Sequence, residues 1–467
     1  MTTLVAELVP APDPAEACAR LSGLPYRVWL DGAAGAARPG NYSFLCADPW
    51  RVITERDPDP LESLRAALAP FRTDALPGLP PFQGGAAGYI GYEFGRALDR
   101  QPFPRSDDLA LPTLSLGLYD WVIAWDHTTT RAWLISTGMG RRTESPERYA
   151  AERAAMVRAR LASGGLTARP APAVPVSANR NGAHPVPELP GVSSVFTRPE
   201  YLAAVERVRE YILAGDVFQV NLTQRLSAPI AGAPLDFYRR LRRVNGAPYA
   251  AFLDLDDGAA IASASPERFL KVAADGTVET RPIKGSRPRG ATWKEDDALG
   301  GDLMLSEKDR AENVMIVDLL RNDLSRVCAP GSVAVPELCT LERYATVQHL
   351  VSTVTGGLAS GRDAVDLLAA AFPGGSVTGA PKIRAMEIIA ELEPVARGVY
   401  CGAIGYLSIS GAMDTSVAIR TAVVRPERTG GGTAYFGVGG GVVADSVPAA
   451  EYAETLDKAR GIVAALR

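Results

Sequence analysis

An acid and an amine, Glu267 and Lys284, flank a predicted β-hairpin and are the first candidates for chemistry. The stretch Ser263–Gly290 has apolar residues on both sides of Asp275-Gly276, a dipeptide typical of tight hairpin turns. A turn centred there places Glu267 directly opposite Lys284, about 5 Å apart at Cβ. The pair is either a surface ion pair, which contributes little stability, or an acid and an amine held ready for catalysis.

The C-terminal helix carries a second set of charges. Glu451, Glu454 and Lys458 recur at a spacing that puts them on one helical face. The helix follows the triplet Gly439–Gly441, where the absence of side chains lets a backbone approach a ligand closely. Backbone N–H groups in such a loop suit a carboxylate. The face is therefore either a solvated charged surface or one wall of a site for a hard cation.

A longer helix that starts at Ser306 supplies two more carboxylates. Asp309 and Glu312 are three residues apart, at the edge of an apolar stripe that continues through Met315 and Leu319. These acids either interact with the helix dipole or bind a metal. Two helices that direct carboxylates to one place suit octahedral Mg²⁺, whose shell water and substrate oxygens complete. The chain has three histidines, too few for a multi-histidine metal site.

Two further segments favour an anionic ligand. The loop Pro373–Pro381 places Ser376 and Thr378 before a helix, and it lacks the G-K-[ST] of a nucleotide P-loop. Arg420 lies in the segment AIRTAVV, which predicts a strand. A buried arginine there needs a carboxylate partner, either from the protein or from a ligand. Together these residues indicate a Mg²⁺-dependent enzyme for a small, doubly anionic substrate.

Apolar periodicity and turn residues indicate the elements that position these side chains. Helices are predicted from Thr197 to Ala214 and at Ser306–Val327, Pro381–Glu391 and Pro448–Leu466, and strands at Val217–Leu226, Tyr249–Leu255, Tyr400–Ile409, Asp414–Arg425 and Ala434–Val443. Residues 163–195 are rich in Pro, Ala, Gly and Asn without periodicity, which predicts a linker or long loop. The chain therefore divides into an N-terminal region (1–162), this linker and a catalytic core (196–467).

The composition narrows the class of protein. A chain of 467 residues that is 47% apolar can bury a sizeable core, and its net charge of −4 argues against partners such as nucleic acid or an anionic membrane. We find no signal peptide and no apolar stretch of about 20 residues, so no membrane span is expected. The five scattered cysteines, with no C-x-x-C pair, are typical of a reduced cytoplasmic protein.

Several of these segments resemble the chorismate-utilising enzymes, the family of anthranilate synthase component I, aminodeoxychorismate synthase component I, isochorismate synthase and salicylate synthase. The similar segments occur in the family's order: Val217–Arg225, Ser263–Phe269, Arg281–Gly290, Ser306–Val327, Pro373–Arg384, Gly402–Gly405, Ile419–Thr421 and Gly437–Lys458. The resemblance implies an α+β fold in which two antiparallel sheets pack as a sandwich, with helices outside. It also implies that both halves of the chain contribute to that sandwich.

Three positions bear on the branch of the family. Gln219 stands where isochorismate and salicylate synthases have a lysine that activates water, so the chain resembles the members that use ammonia. Lys284 stands where anthranilate synthases typically have alanine, and Asn313 where they usually have histidine. Both features resemble aminodeoxychorismate synthase component I. Anthranilate synthase remains the alternative, and a ligand-binding subunit without catalytic activity is a third interpretation.

The resemblance implies a role for each candidate residue. Lys284 is the nucleophile for ring carbon C2 of chorismate, and Glu267 is the general acid for the 4-hydroxyl group. Mg²⁺ is held by Glu312 and Glu451, with Glu454 and Asp309 acting through water. The substrate-binding set comprises Gln219, His349, Ser376, Thr378, Tyr406, Arg420, Gly439, Gly441 and Lys458. Ammonia then attacks C4 and expels the lysine, giving 4-amino-4-deoxychorismate, the precursor of p-aminobenzoate and folate.

The resemblance also implies partners. None of the five cysteines lies in the glycine-flanked elbow of a glutaminase, so we expect a separate glutaminase subunit to supply the ammonia. Family members often hold tryptophan in the N-terminal half. The residue types at Asp31 and Ser43 leave open whether this chain binds tryptophan.

Overall fold

Two antiparallel sheets organise the molecule. The computed structural model describes residues 3–32, 41–99, 102–140, 145–163, 183–344, 347–427 and 431–466. In that part of the chain the strands are β1 (Leu4–Glu7), β2 (Val28–Asp31), β3 (Tyr42–Cys46), β4 (Arg51–Thr54), β5 (Gly85–Ile90), β6 (Leu114–Tyr119), β7 (Trp121–Asp126), β8 (Arg131–Ser136), β9 (His184–Pro185), β10 (Ser193–Ser194), β11 (Gln219–Ile230), β12 (Tyr249–Asp254), β13 (Ala260–Ser265), β14 (Arg268–Val272), β15 (Thr277–Arg281), β16 (Ile283–Pro288), β17 (Ala334–Arg343), β18 (Val347–Gly357), β19 (Gly379–Ala380), β20 (Ala403–Ser408), β21 (Met413–Val417), β22 (Thr421–Pro426) and β23 (Gly432–Val442).

The strand order explains how distant segments meet. The first sheet runs β1-β8-β7-β3-β2-β12-β13-β22-β23-β11-β10-β9, and β19 also pairs with β11. The second runs β16-β18-β15-β14-β21-β20-β5-β6-β4, and β17 also pairs with β18. All of these strand pairs are antiparallel. The predicted fold class, α+β with two antiparallel sheets and helices outside, is confirmed.

The helices begin where the sequence supplies caps and first-turn prolines. Within the described ranges they are α1 (Pro14–Arg20), α2 (Pro60–Leu68), α3 (Gly95–Leu98), α4 (Pro146–Ala162), α5 (Arg198–Leu213), α6 (Pro234–Val244), α7 (Trp293–Leu305), α8 (Glu307–Ser325), α9 (Ala364–Ala371), α10 (Lys382–Leu392) and α11 (Pro448–Ala465). Thr197 and Glu200 form a capping box at the start of α5, and Ser306 caps α8. None of the described helices is long and apolar enough to cross a membrane.

A large apolar core fixes the helices on the sheets. Trp29 of β2 and Tyr238 of α6 are both fully buried and pack edge to face, with ring centroids 5.2 Å apart. Phe252 of β12 joins the same cluster. Burial of a large apolar side chain contributes about 1.5–3 kcal/mol. The strands that carry the charged residues therefore rest on a well-packed frame.

Both sheets contain strands from both predicted regions. The first sheet includes β2 and β22, and the second includes β5 and β20, which pair so that Gly88 lies opposite Gly405. Residues 164–182 of the predicted linker lie outside the described residues. The last part of the linker is not a structureless loop, because β9 and β10 extend an edge of the first sheet there. The division of the chain into an N-terminal region that ends at residue 162 and a catalytic core that begins at residue 196 remains a prediction from the sequence.

The predicted helices are confirmed, with ends that shift by a few residues, in α5, α8, α10 and α11. The single strand predicted at Asp414–Arg425 is wrong. The segment forms β21 in the second sheet and β22 in the first, and Arg420 lies between them with φ 52°. The run of apolar residues is continuous because the chain stays buried while it crosses between the sheets.

Candidate active site

The hairpin around Asp275-Gly276 exists, but its register differs from the prediction. β14 pairs with β15 so that Val272 lies opposite Val278. Proline at 282 ends this ladder because it has no N–H to donate, and the following strand β16 pairs with β18 instead. Lys284 is therefore not the cross-strand partner of Glu267. The two residues still interact, because the charge of Lys284 and the backbone N–H of Ile283 both act on the Glu267 carboxylate.

Burial changes the acid–base properties of this pair. Glu267 is 4% exposed, and burial raises its pKa to about 7, although a hydrogen bond from Ser376 and the charge of Lys284 oppose the rise. Burial lowers the pKa of Lys284, and the charge of Glu312 only partly offsets the change. A carboxylic acid that keeps its proton near neutral pH and an amine that loses its proton more easily suit general acid and nucleophile, respectively.

A glycine places Lys284 against helix α8. Gly285 has φ 85°, and a Cβ there would lie 2.9 Å from Cβ of Asp309. The β16–β18 register also shifts between Ile283 and Ser286, which marks a bulge. Only glycine fits this close approach, so the bulge fixes the neighbouring lysine beside the acidic face of α8.

Carboxylates from α8 and α11 surround this lysine. Burial raises the pKa of Glu312, and Lys284 and then Lys308 oppose the rise. Burial also raises the pKa of Glu451, whose carboxylate accepts a hydrogen bond of 2.7 Å from the Ser446 hydroxyl. The two predicted acidic faces therefore belong to one site.

The pKa of Glu454 shifts in the opposite direction from the pKa values of Glu312 and Glu451. Burial opposes ionisation, but an ion pair of 2.7 Å with Lys458 lowers the pKa of Glu454. The Lys458 ammonium also donates to the Gly439 carbonyl at 2.8 Å. This lysine thus connects α11 to strand β23.

The glycine triplet forms the end of a strand rather than a loop. Gly439–Gly441 belong to β23 and pair with β11. The ladder with β22 ends at Phe436, which leaves the other edge of the triplet without a strand partner in the described structure. A Cβ at Gly440 would lie 3.1 Å from Oε1 of Glu454 and 3.2 Å from Oε2 of Glu451. Both carboxylates therefore converge on a backbone that only glycine keeps open.

The carboxylate oxygens of this site suit a hard cation, although the described side chains are not arranged as a coordination shell. Oxygen atoms of Glu312, Glu451 and Glu454 are the ligands that Mg²⁺ prefers. In the part of the chain that the structure describes, no three His, Cys, Asp or Glu side chains form a ready metal-binding group. Asp309 forms an ion pair of 3.3 Å with Arg287. Its predicted contact through water stays a prediction.

Arg420 is placed so that its guanidinium can bind an anion. Its guanidinium donates to the Lys458 carbonyl at 2.5 Å, and no described carboxylate lies within 4.0 Å to form an ion pair. Burial lowers the pKa of Arg420, while Tyr400 and Glu454 oppose the change. Of the two partners that the sequence allowed, a protein carboxylate is absent from the described residues, so a ligand carboxylate fits the site.

His349 lies beside this arginine. It is 7% exposed, and burial together with the charge of Arg420 lowers its pKa to about 4. Its Nδ1 is 2.7 Å from the Ser286 hydroxyl, which lies directly across the β16–β18 ladder. The imidazole is therefore neutral at physiological pH and is held by one hydrogen bond.

The side-chain amide of Gln219 has no protein partner among the described residues. Gln219 is fully buried, and neither its nitrogen nor its oxygen forms a hydrogen bond with that part of the chain. A Cβ at Gly441 would lie 2.5 Å from Nε2 of Gln219, which places the amide beside the glycine triplet. An unsatisfied buried amide costs about 1–3 kcal/mol, so a polar ligand group is the expected partner.

Two predicted substrate contacts need correction. The hydroxyl of Thr378 is fully buried and donates to the Gly374 carbonyl at 3.1 Å, so it stabilises its own loop. Tyr406 packs among aromatic side chains. Its ring stacks on Phe82 with centroids 4.7 Å apart and packs edge to face on Phe44. Alternation along β20 points Tyr406 to the other face of the second sheet.

Tyr406 instead lines a second cavity of about 440 Å³. Aromatic residues form one side of this cavity, including Phe44 and Tyr42. Arg268, Lys271 and Asp414 supply charges. The cavity is large enough for a ligand with an aromatic ring and charged groups at one end.

Sequence analysis missed three residues near the site: Tyr400, Ser286 and Lys308. Tyr400 interacts with the charge of Arg420, and its ring lies where a Cβ of Gly437 would be. Ser286 follows Lys284 by two residues, so strand alternation was a usable signal. Lys308 was recognisable as a cation in the first turn of a helix, where acids are preferred.

The structure thus brings together a buried amine, a buried acid and several carboxylates from two helices. Residues 27–464 match the family described as chorismate binding enzyme. The chain therefore belongs to the chorismate binding enzyme family.

Individual relatives represent two activities within this family. The chain is 42% identical over 470 residues to aminodeoxychorismate synthase component 1 of Salmonella typhimurium, covering 97% of this chain and 96% of the relative. It is 45% identical over 414 residues to anthranilate synthase component 1 of Streptomyces coelicolor, covering 88% and 78%. The structure of anthranilate synthase component I from Streptococcus pneumoniae matches with a TM-score of 0.74 and 33% identity, covering 91% and 93%.

Proposed function

We propose that the chain catalyses the amination of chorismate at C4 with ammonia, giving 4-amino-4-deoxychorismate for p-aminobenzoate and folate synthesis. The observation that carries this proposal is the buried lysine Lys284, which lies beside Glu267. The pKa of the Glu267 carboxyl group is about 7. A nucleophilic amine and a protonated acid are the two groups that a covalent substitution at the ring requires.

The steps follow from these two side chains. The Lys284 amine attacks C2 of chorismate, the ring double bond shifts, and the C4–O bond breaks. Glu267 gives its proton to the departing hydroxyl, so water leaves. Ammonia attacks C4 and the double bond shifts back. The C2–N bond to Lys284 then breaks and restores the free amine, and the new C4 ammonium returns a proton to the Glu267 carboxylate. Both side chains are thus regenerated, and one water is released per turnover.

Magnesium belongs to the same proposal. Glu312, Glu451 and Glu454 hold Mg²⁺, which neutralises the ring carboxylate of the substrate when it is bound. Support comes from the oxygen-only donor set and from the convergence of two carboxylates on Gly440. Arg420, with no described acidic partner, takes the second carboxylate of the substrate.

The test is a product assay on the purified chain with chorismate, Mg²⁺ and a high concentration of an ammonium salt. The expected product is non-fluorescent, carries an amine in place of the 4-hydroxyl by mass, and yields p-aminobenzoate with an added lyase. Chelation of Mg²⁺ by EDTA abolishes its formation, and excess Mg²⁺ restores it. Unconsumed chorismate under all of these conditions would contradict the proposal.

Anthranilate formation is the second candidate. The 45% identity to an anthranilate synthase component 1 favours it, whereas Lys284, where that subfamily typically has alanine, favours C4 amination. Fluorescent anthranilate together with released pyruvate in the same assay would decide for the second candidate.

The ammonia comes from a separate glutaminase subunit in this proposal. All five cysteines are buried, and burial raises the pKa of both Cys18 and Cys401 to about 12. A buried thiol with such a pKa is a poor nucleophile for glutamine. The purified chain is therefore expected to use ammonium salts and not glutamine, and glutamine hydrolysis by the chain alone would contradict this.

The location of the protein in the cytoplasm remains our prediction.

Tryptophan is the proposed ligand of the second cavity. The aromatic wall around Tyr406 suits an indole ring. Asp414 suits its ammonium group, and Arg268 or Lys271 suits its carboxylate. Binding is measured by calorimetry with tryptophan, using alanine as the non-aromatic control ligand.

A further inference from the structure

Lys308 occupies an unfavourable place in its helix. It lies in the first turn of α8, between Glu307 and Asp309. The N-terminus of a helix carries partial positive charge, which disfavours cations there. A lysine at such a position needs a compensating partner.

That partner is the set of carboxylates shared by α8 and α11. The Lys308 ammonium lies 3.9 Å from Oε1 of Glu451, which is on the other helix. Its charge favours ionisation of Glu312 and Glu454 as well. One ammonium therefore neutralises acids from both helices at once.

Lys458, another lysine whose charge acts on these acids, is held differently. Lys458 pairs with Glu454 at 2.7 Å and donates to the Gly439 carbonyl at 2.8 Å. Lys308 has the longer contact, and its side chain is 49% exposed. Of the two ammonium groups, Lys308 is thus the one that can leave the acids for solvent at low cost.

We propose that Lys308 is the resident counter-ion of the metal-binding carboxylates and that a divalent cation displaces it. This inference rests on the proposed Mg²⁺ site. Without the metal, Lys308 holds the acids of α8 and α11 together against their mutual repulsion. With the metal, the ammonium moves away, because two cations cannot occupy the same place.

Removal of the Lys308 ammonium should have opposite effects on Mg²⁺ affinity and on the stability of the metal-free protein. Lys308→Met removes a competitor, so Mg²⁺ should bind about fivefold more tightly at low ionic strength. The same change leaves the acids unpaired, so the metal-free protein should melt at a lower temperature. The melting temperature should then rise more on adding Mg²⁺ than it does in the wild type.

The experiment titrates the metal-free full chain with Mg²⁺ by calorimetry, without chorismate, and records thermal melts with and without Mg²⁺. The variants are Lys308→Met, Lys308→Arg, which keeps the charge, and Lys294→Met, an exposed lysine on α7. We expect only Lys308→Met to depart from the wild type, and the difference in affinity to shrink at high salt.

The results separate the two proposals. If the wild type binds Mg²⁺ and Lys308→Met binds it with the same affinity and melts at the same temperature, the counter-ion role is overturned while the metal site stands. If Lys308→Met binds Mg²⁺ more weakly, the lysine is not a competitor and the inference also fails. If the wild type binds no Mg²⁺, both proposals are overturned.

Discussion

Glu267 and Arg268 are consecutive residues whose side chains belong to two different sites. Glu267 interacts with Lys284 and Ser376 in the candidate active site. Arg268 lines the second cavity and donates two hydrogen bonds of 3.0 Å to Asp414. Glu267 directly precedes β14 and Arg268 is the first residue of that strand, so one short segment of chain contributes to both sites.

Loss of the lysine amine should stop the reaction. Lys284→Ala removes the proposed nucleophile, so we expect kcat for C4 amination to fall at least about a hundredfold. Ammonium-dependent chorismate consumption measures the effect. Lys294→Ala serves as the control, because this lysine lies on the exposed face of α7. A Lys284→Ala enzyme with full amination activity would exclude the nucleophile role.

Glu267 should make stability depend on pH. Its pKa rises from the ordinary value of 4.5 to about 7 on folding, so the folded state resists its ionisation. Wild-type stability should therefore decrease as pH rises from about 4.5 to 7, by on the order of 3 kcal/mol. Glu267→Gln lacks this loss, so its melting temperature relative to the wild type should increase between pH 5 and pH 8.

The matched control is Glu206→Gln, which removes a carboxylate from the exposed face of α5 instead of a buried one. A pH-independent difference for Glu267→Gln would show that the carboxylate is not desolvated. The same ionisation should reduce kcat above about pH 7, because the general acid then has no proton to give.

Arg420 should act on substrate binding more than on chemistry. Arg420→Met leaves a substrate carboxylate without its charged partner, so KM for chorismate should rise about ten- to hundredfold. Arg420→Lys should recover only part of this affinity, because an ammonium lacks the two-pronged geometry of a guanidinium. Steady-state kinetics with saturating Mg²⁺ measure both. An unchanged KM in Arg420→Met would assign the arginine to structure alone.

The second cavity should bind its ligand independently of Lys284. Asp414→Asn and Tyr406→Ala remove the charge and the aromatic wall proposed for tryptophan, so each should weaken tryptophan binding about tenfold or more. Calorimetry measures the effect. Lys284→Ala, which leaves the cavity intact, should bind tryptophan like the wild type. Wild-type affinity in both cavity variants would place tryptophan elsewhere or exclude it.

The helices were predictable because their signals are local. Thr197 and Ser306 cap helices that begin one residue later, as the sequence indicates. The spacing of Glu451, Glu454 and Lys458 also fixes their common face, because a helix repeats every 3.6 residues. These residues occupy one site in the structure as the sequence implied.

The register of the strands was less predictable. A single proline at 282 moves Lys284 out of the hairpin and into a strand that pairs elsewhere. Arg420 was assigned to a strand because apolar residues surround it, yet it lies where the chain changes sheet. Tyr406 was expected in the substrate-binding set but lines the second cavity, since which face of a strand meets which cavity depends on distant partners.

The sequence by itself determined the chemical inventory of this protein: a lysine and a glutamate that we propose for covalent chemistry, acids on two helices, and a glycine triplet that leaves them room. It also determined the helices that carry those acids, because capping and periodicity act within a few residues. Tertiary structure decided that Glu267 meets Lys284 outside a shared hairpin and that Lys308 of α8 reaches Glu451 of α11. Such contacts join residues far apart in sequence, so they depend on sheet order and burial, which no local pattern encodes.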